Sequence, residues 1–356
     1  MNLPDNGIQG LIGQEAGWLK PSDSDPGVVI SSRVRLARNL AEHLFPGRSG
    51  QAERSLVREE VRKASSAVNY FGGAAFFDLD ILNQLDRTAL WERRLISSDL
   101  MDKKNGAGVL VGRDQSLDLM INEEDHIRMQ SLLPGLDLIE AFRIVDQVDD
   151  QLQRRLAMAY SPEWGFLTCC PSNLGTGLRA SLLIHLPALV RAKRIEKLLN
   201  QMEEQGILVR GFYGEGSEVA GDIFQISNRA TLGRNELEII EHVERVGRSL
   251  MEQEMEARRY IMDHARRQTE DNIWRAFGIL ANARMLSSRE FLELTSSLRL
   301  GIFLGLFPRM GLNALNKLLI TTQPAHLQIM LDAQLEAHER DGERAKMVRA
   351  IMADFI

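Results

Sequence analysis

Four short blocks of this chain concentrate arginines and carboxylates at spacings that can do chemistry. The first, VVISSRVRL over residues 28–36, is rich in β-branched residues. In an extended strand alternate side chains share a face, so Ser31, Arg33 and Arg35 project one way while Val34 and Leu36 project the other. Two neighbouring guanidinia repel each other unless an anion or carboxylates neutralise them, and their planar, permanently charged fork matches phosphate oxygens. A solvated strand face is the plainer alternative. The second block is LDLMI followed by Asn122-Glu123-Glu124-Asp125-His126-Ile127-Arg128. Three consecutive acids repel one another, a cost that suits a place where a cation is held or a carboxylate pKa is tuned. Alternatively they form an acidic turn capping a helix that begins near Ile127, with Asn122 or Asp125 as N-cap.

The third block, GFLTCCPSNLGTGLR over residues 165–179, reads as a strand and a polar turn leading into an amphipathic helix, ASLLIHLPALVRAKRIEKLLNQ. The free N–H groups of such a helix start, with Arg179 beside them, would cradle an anion. The block is no Walker loop, because G-x-x-x-x-G-K-[ST] does not occur in the chain. Cys169 and Cys170 lack a second CxxC or clustered histidines to complete a zinc site, so no metal ligands are expected. The fourth block, VRGFYGEGSE over residues 209–218, places Gly211, Gly214 and Gly216 among Arg210, Glu215 and Glu218. That is the composition of a loop closing over a ligand, or of a plain hairpin connection.

Jointly, Arg33, Arg35, Arg128, Arg179 and Arg210 would make an intense positive field suited to a nucleotide triphosphate, with Glu124 and Glu215 facing it. Phosphoryl transfer asks the protein for charge stabilisation and alignment, which an arginine cage on the donor side can supply. A guanidinium acceptor fits the acids: its pKa is above about 12, so carboxylates must orient the attacking nitrogen and relieve it of a proton.

The elements that must position these blocks are legible in outline. Residues 1–27 are interrupted by Pro, Gly, Asp and Ser and read as a lead-in without a core of its own. From residue 28 to about 234, β-rich runs (VVISSRVRL, AGVLVG, LDLMI, GFLTCC, GILVRGFY, DIFQIS) alternate with helical stretches at 52–68, 131–160 and 178–204. The pattern predicts a mixed domain built on one sheet over residues 28–250, followed by an all-helical domain over 251–356. The chain has 356 residues, 44% hydrophobic and 26% charged, with 43 Lys and Arg against 49 Asp and Glu. The resulting net charge of −6 gives no global basic field, so neither nucleic acid nor an acidic membrane surface is an expected partner. The two cysteines are adjacent and no leader or spanning segment is evident, which points to a reducing cytoplasm.

SSRVRLARN, NEEDHIR, CPSNLGTGLRAS and RGFYGEGSE…FQISN, in this order, resemble the signature blocks of the phosphagen (guanidino) kinase superfamily. The resemblance implies an α+β catalytic domain with a mainly antiparallel sheet flanked by helices. It implies nucleotide contacts from Ser31, Ser32, Arg33, Val34, Arg35, Arg128, Arg179, Ala180, Ser181, Leu182, Leu183, Arg210, Gly211, Phe212, Tyr213 and Gly214. On the same basis Glu124 and Glu215 are the catalytic acids, and Cys170, Glu123 and Glu218 lie beside the guanidino substrate. ATP with Mg2+ held mainly by the nucleotide is the implied co-substrate. Arg94 stands where that family usually has a nucleotide-contacting histidine. The small-substrate members carry a helical domain before the SSR block, whereas here Arg33 is almost at the start. The ending Arg340-Asp341-Gly342-Glu343-Arg344-Ala345 instead resembles the RDxxRA motif of bacterial protein arginine kinases. That branch implies an allosteric phosphoarginine pocket at Arg340, Asp341, Arg344 and Ala345. It also implies protein substrates with exposed arginines marked for a Clp-type protease, an activator protein, a Clp-type unfoldase and a homodimer. The apolar run LRLGIFLGLF would suit a dimer interface or a core.

Overall fold

The computed structural model describes residues 7–20, 27–103, 105–212 and 219–355. Its strands are β1 (Val29–Arg38), β2 (Ala75–Asp78), β3 (Gly108–Val111), β4 (Leu117–Ile121), β5 (Ile127–Pro134), β6 (Tyr160–Ser161), β7 (Gly165–Phe166), β8 (Leu178–His185), β9 (Ile207–Gly211) and β10 (Ile223–Asn228). Eight of them form one sheet in the order β2-β3-β4-β5-β1-β8-β10-β9, and β6 and β7 make a separate small hairpin. Every neighbouring pair in the large sheet is antiparallel. Around it lie α1 (Gly7–Ile12), α2 (Gln51–Ser65), α3 (Gln84–Glu92), α4 (Ser98–Asp102), α5 (Leu138–Gln153), α6 (Pro187–Arg191) and α7 (Ile195–Glu204). The C-terminal part is helical, with α8 (Glu236–Asn282), α9 (Ser288–Phe303), α10 (Leu312–Thr321), α11 (Pro324–Leu331) and α12 (Ala337–Met352).

Two segments expected as helix are central strands. Residues 178–185, read as the start of an amphipathic helix, are β8, whose side chains are buried at every position but Arg179. A strand covered on both faces shows a continuous apolar run rather than alternation, and LLI followed by a helical stretch hides the switch of period. Residues 127–134 are β5, so no helix begins at Ile127. The acidic run is the turn of a hairpin: Asn122 takes a left-handed φ of 56°, and its N–H donates to the His126 carbonyl at 3.0 Å. Asparagine tolerates that conformation better than most residues.

The lead-in also contributes more than its broken pattern implies. Ile8, Leu11, Ile12, Trp18 and Leu19 are all buried in the core. Ile8, Leu11 and Ile12 lie at i, i+3 and i+4 on α1, but six residues are too short a helix for its period to stand out, and Trp18 and Leu19 follow in a separate short turn. The long helix α8 starts at a capping box, Asn235 and Glu238 each accepting the other's backbone N–H. It runs through residue 250 and kinks at Ala265 (φ −139°, ψ 30°). Apolar side chains of the sheet and of α8, α9, α10 and α12 share one buried cluster. Among the described residues no helix is long and apolar enough to cross a membrane.

Candidate active site

Antiparallel register brings the polar blocks onto one face of the sheet. Residues paired across an antiparallel ladder point to the same side, as do alternate residues along each strand. Arg35 of β1 stands opposite Arg179 of β8 and Gln130 of β5, and Arg128 of β5 stands opposite Ala37. Gln225 of β10 pairs with Leu183 and with Arg210 of β9. Arg33, Arg35, Arg128, Arg179, Arg210 and Gln225 therefore share a surface, while Val34 and Leu36 enter the core from the other side.

These residues line a cavity of about 480 Å³ together with Arg94, Arg229, Trp91, Ser97, Glu124, Cys170, Asn173 and Phe212. Seven of its lining residues are arginines. Arg33 donates to the Gln225 amide oxygen at 3.0 Å, and Arg94 donates to that same oxygen at 2.6 Å. The buried Nε of Arg35 has no hydrogen-bond partner among the described residues. Burial and then the charges of Arg94 and Arg128 push the Arg33 guanidinium well below its ordinary pKa. Arg35 is lowered likewise by burial and by Arg33, Arg128 and Arg179. A polyphosphate would relieve both the repulsion and the orphaned donor, so the residues present fit a nucleotide's phosphate chain.

The acids divide their work. Glu123 is almost wholly buried and accepts from Arg128 at 2.6 Å, from the Ser97 hydroxyl at 2.5 Å and from the Glu124 N–H at 3.0 Å. Burial alone would raise its pKa, but Arg128 and these donors outweigh it and hold the carboxyl at about 2. It partners Arg128 and does not line the cavity. Glu124 does line it, accepts from Asn173 Nδ2 at 3.2 Å, and has its pKa raised by burial and by the charges of Asp125 and Glu123. Cys170 lines the cavity beside Glu124, its sulfur 3.0 Å from the Ser172 hydroxyl. Asp125 fixes the cysteine segment by accepting from the Cys169 N–H and from Asn39.

Several residues expected at the nucleotide do not line this cavity. Because 178–185 is a strand, no helix N-terminus cradles an anion there, and Ala180, Leu182 and Leu183 are buried in the core. Ser181 is buried with its hydroxyl at the Arg33 Nε, 3.4 Å away. Ser31, Ser32 and Val34 are also buried, and the Ser32 hydroxyl donates to Gly135 O at 2.8 Å. Gly211 ends β9 away from the cavity wall, whereas Phe212 is on it. Tyr213, Gly214, Glu215 and Glu218 lie outside the described residues. Sequence reasoning missed Gln225, Arg229, Asn173 and the stretch 96–99. The alternation of FQIS could have indicated Gln225, but nothing in ISSD marks a cavity wall. Among the described residues no group of three or more His, Cys, Asp or Glu could hold a metal ion.

At the far end of the chain Arg340, Asp341 and Arg344 lie on α12, where Arg344 pairs with Asp341 while Arg340 bonds the Leu335 carbonyl. Arg344 is fully buried, donating to Thr322 O at 2.9 Å, to Leu286 O at 2.6 Å and to Asp341 at 2.6 Å. Arg340 is half-buried and donates to Leu335 O at 2.7 Å, and Ala345 is in the core.

Residues 56–257 match the family of the ATP:guanido phosphotransferase C-terminal catalytic domain, and residues 266–355 match the protein-arginine kinase McsB C-terminal domain. The kink at Ala265 lies between the two matches. The protein-arginine kinase of Symbiobacterium thermophilum is 42% identical over 339 residues, covering 94% of this chain and 96% of that one. That of Bacillus subtilis is 40% identical over 336 residues, covering 94% and 92%. Among solved structures, lombricine kinase aligns with a TM-score of 0.58 at 23% identity, over 71% of each chain. The duplicated taurocyamine kinase from Schistosoma mansoni, with bound transition-state analogue components, aligns with a TM-score of 0.60 at 25% identity, over 79% of this chain and 41% of that one. An arginine-lined cavity on an antiparallel sheet, a helical C-terminal domain and end-to-end similarity at this level place the chain in the protein-arginine kinase family.

Proposed function

We propose that this protein transfers the γ-phosphoryl group of ATP to arginine side chains of other proteins. The observation that carries the reading is a single cavity lined by Arg33, Arg35, Arg128, Arg179 and Arg210 together with Glu124. The arginines bind and align the phosphates, with Mg2+ arriving on the nucleotide, and they stabilise the charge that spreads over the transferring group. Glu124, joined by Glu215, orients the acceptor guanidinium and takes the proton its nitrogen gives up. The bond from the bridging oxygen to the γ-phosphorus breaks as the phosphorus–nitrogen bond forms, and ADP leaves. The raised pKa of Glu124 suits proton acceptance near neutral pH.

We further propose that the modification marks proteins for a Clp-type protease, in the cytoplasm, with an activator protein and as a homodimer. Phosphoarginine would raise activity through Arg340 and Asp341, with Arg344 holding the pocket's frame from within the core. Of the three, Arg340 is the residue to remove in testing this, because it is only half-buried whereas Arg344 lies in the core. The deciding experiment incubates the protein with Mg-ATP and either a model protein or free arginine, followed by mass spectrometry under conditions that preserve P–N bonds. Acid-labile phosphate on protein arginines supports the reading. Phosphate on free arginine alone would replace it with a kinase of small guanidino metabolites.

A further inference from the structure

Arg94 occupies a backbone conformation that arginine rarely adopts. Helix α3 ends in a Schellman motif: the Leu95 N–H donates to Leu90 O at 3.0 Å and the Arg94 N–H to Trp91 O at 2.8 Å. Arg94 is the left-handed residue of that motif, at φ 65°, where glycine is the common occupant. A side chain there costs about 1–2 kcal/mol, so the surroundings must hold it. The result is a guanidinium delivered into the cavity, 5.4 Å from the Phe212 ring and 5.9 Å from the Trp18 ring, on the oxygen that also holds Arg33.

Gln130 of β5 donates to the Arg94 carbonyl at 2.6 Å, and the helical C-terminal domain adds a second hold on the turn. Glu92, in the last turn of α3 and buried, accepts from the Ala325 N–H at 2.9 Å and the His326 N–H at 3.1 Å, and lies 2.7 Å from His326 Nδ1. These are first-turn N–H groups of α11, whose own N-cap residue Gln323 supplies no side-chain cap. A carboxylate from another domain thus caps this helix, satisfying its orphan donors and its dipole. Arg93 adds ties to Gln115 at 2.7 Å and to Gln14 O at 2.7 Å. Three successive residues therefore face the C-terminal domain, the N-terminal segment and the cavity.

We propose that Glu92 is a positioning residue for the nucleotide side of the site: by capping α11 it fixes the strained turn that places Arg94, so the C-terminal domain sets nucleotide affinity through this contact. The inference rests on the nucleotide reading of the cavity. Its test is Mg-ATP binding by titration calorimetry on the full chain and on Glu92→Gln, His326→Phe, Arg94→Ala and the Glu92→Gln, Arg94→Ala double variant. Glu92→Gln keeps the side chain's volume and His326→Phe keeps a ring, so each weakens the cap from one side without emptying the core. Each should raise the Kd by about fivefold, the lower end of typical coupling, with the KM for the acceptor protein unchanged. The double variant should bind no more weakly than Arg94→Ala alone. Parent-like affinity in both cap variants, or losses that add in the double variant, would overturn the proposal while leaving the nucleotide site standing. Failure of the parent to bind Mg-ATP would overturn the reading of the site and this inference with it.

Discussion

Replacing Glu123 by Gln removes the carboxylate ion-paired with Arg128 of the arginine cage. The parent carboxyl is held at about 2 against an ordinary 4.5, with the side chain 1% exposed. That lowering corresponds to about 3 kcal/mol in favour of the charged form, and burial leaves little solvent to screen it. Gln keeps the shape and an acceptor for Ser97 but leaves Arg128 among like charges, so the folded state should lose about 3 kcal/mol at pH 7, the low end for breaking a buried ion pair. The sign with pH follows from the depressed pKa. The stabilisation is fully present above 4.5 and is lost as pH falls from there towards 2. The gap between parent and variant should therefore be constant from pH 7 down to about 5 and about 1 kcal/mol smaller at pH 4. Urea unfolding followed by intrinsic fluorescence measures it, since Trp91 sits on the cavity wall. With a slope of about 3 kcal/mol/M the midpoint should move by about 1 M. A loss below about 1 kcal/mol at pH 7, or one that does not shrink at pH 4, would refute the claim that this pair neutralises the cage.

Glu124→Gln should slow phosphorylation by about 10²–10⁴-fold with nearly unchanged Mg-ATP affinity. Because burial and the neighbouring acids raise the Glu124 pKa, the parent's activity should fall as pH drops through that raised value, and pH–rate profiles should show the limb missing in the variant. Arg35→Lys should weaken Mg-ATP binding by about tenfold, as expected for losing a charge-assisted hydrogen bond, and full affinity in a titration would show that charge alone suffices. Arg94→Gly should relieve the left-handed strain and raise stability by up to about 1 kcal/mol while weakening nucleotide binding, so calorimetry and titration should move in opposite senses. Arg344→Ala should destabilise the C-terminal domain by about 3 kcal/mol because it strips a buried ion pair and two carbonyl contacts. Arg340→Ala should leave the melting temperature nearly unchanged.

The sequence by itself indicated the class of chemistry and the five arginines that the structure gathers in one cavity. Alternation in VVISSRVRL placed Arg33 and Arg35 on one face and Val34 and Leu36 in the core, as the structure has them, because that rule depends only on backbone geometry. Period and breaks likewise marked the helical C-terminal domain and the strand pattern of β3, β4, β9 and β10. Tertiary structure decided the rest. Burial on both faces erased the alternation that would have identified β8, turning an expected helix start into the sheet's centre. The hairpin register, invisible to local spacing, split two adjacent acids between Arg128 and the cavity. It also brought Gln225 to Arg33 and Arg94 across the sheet. At α12, i and i+4 spacing put Arg340 and Arg344 on one helix face, but neighbouring carbonyls from Leu286 and Thr322 drew Arg344 into the interior. The cap of Glu92 on α11 joins residues more than two hundred positions apart, and long-range pairs of this kind are set by packing of whole elements, for which a single sequence carries no local signal.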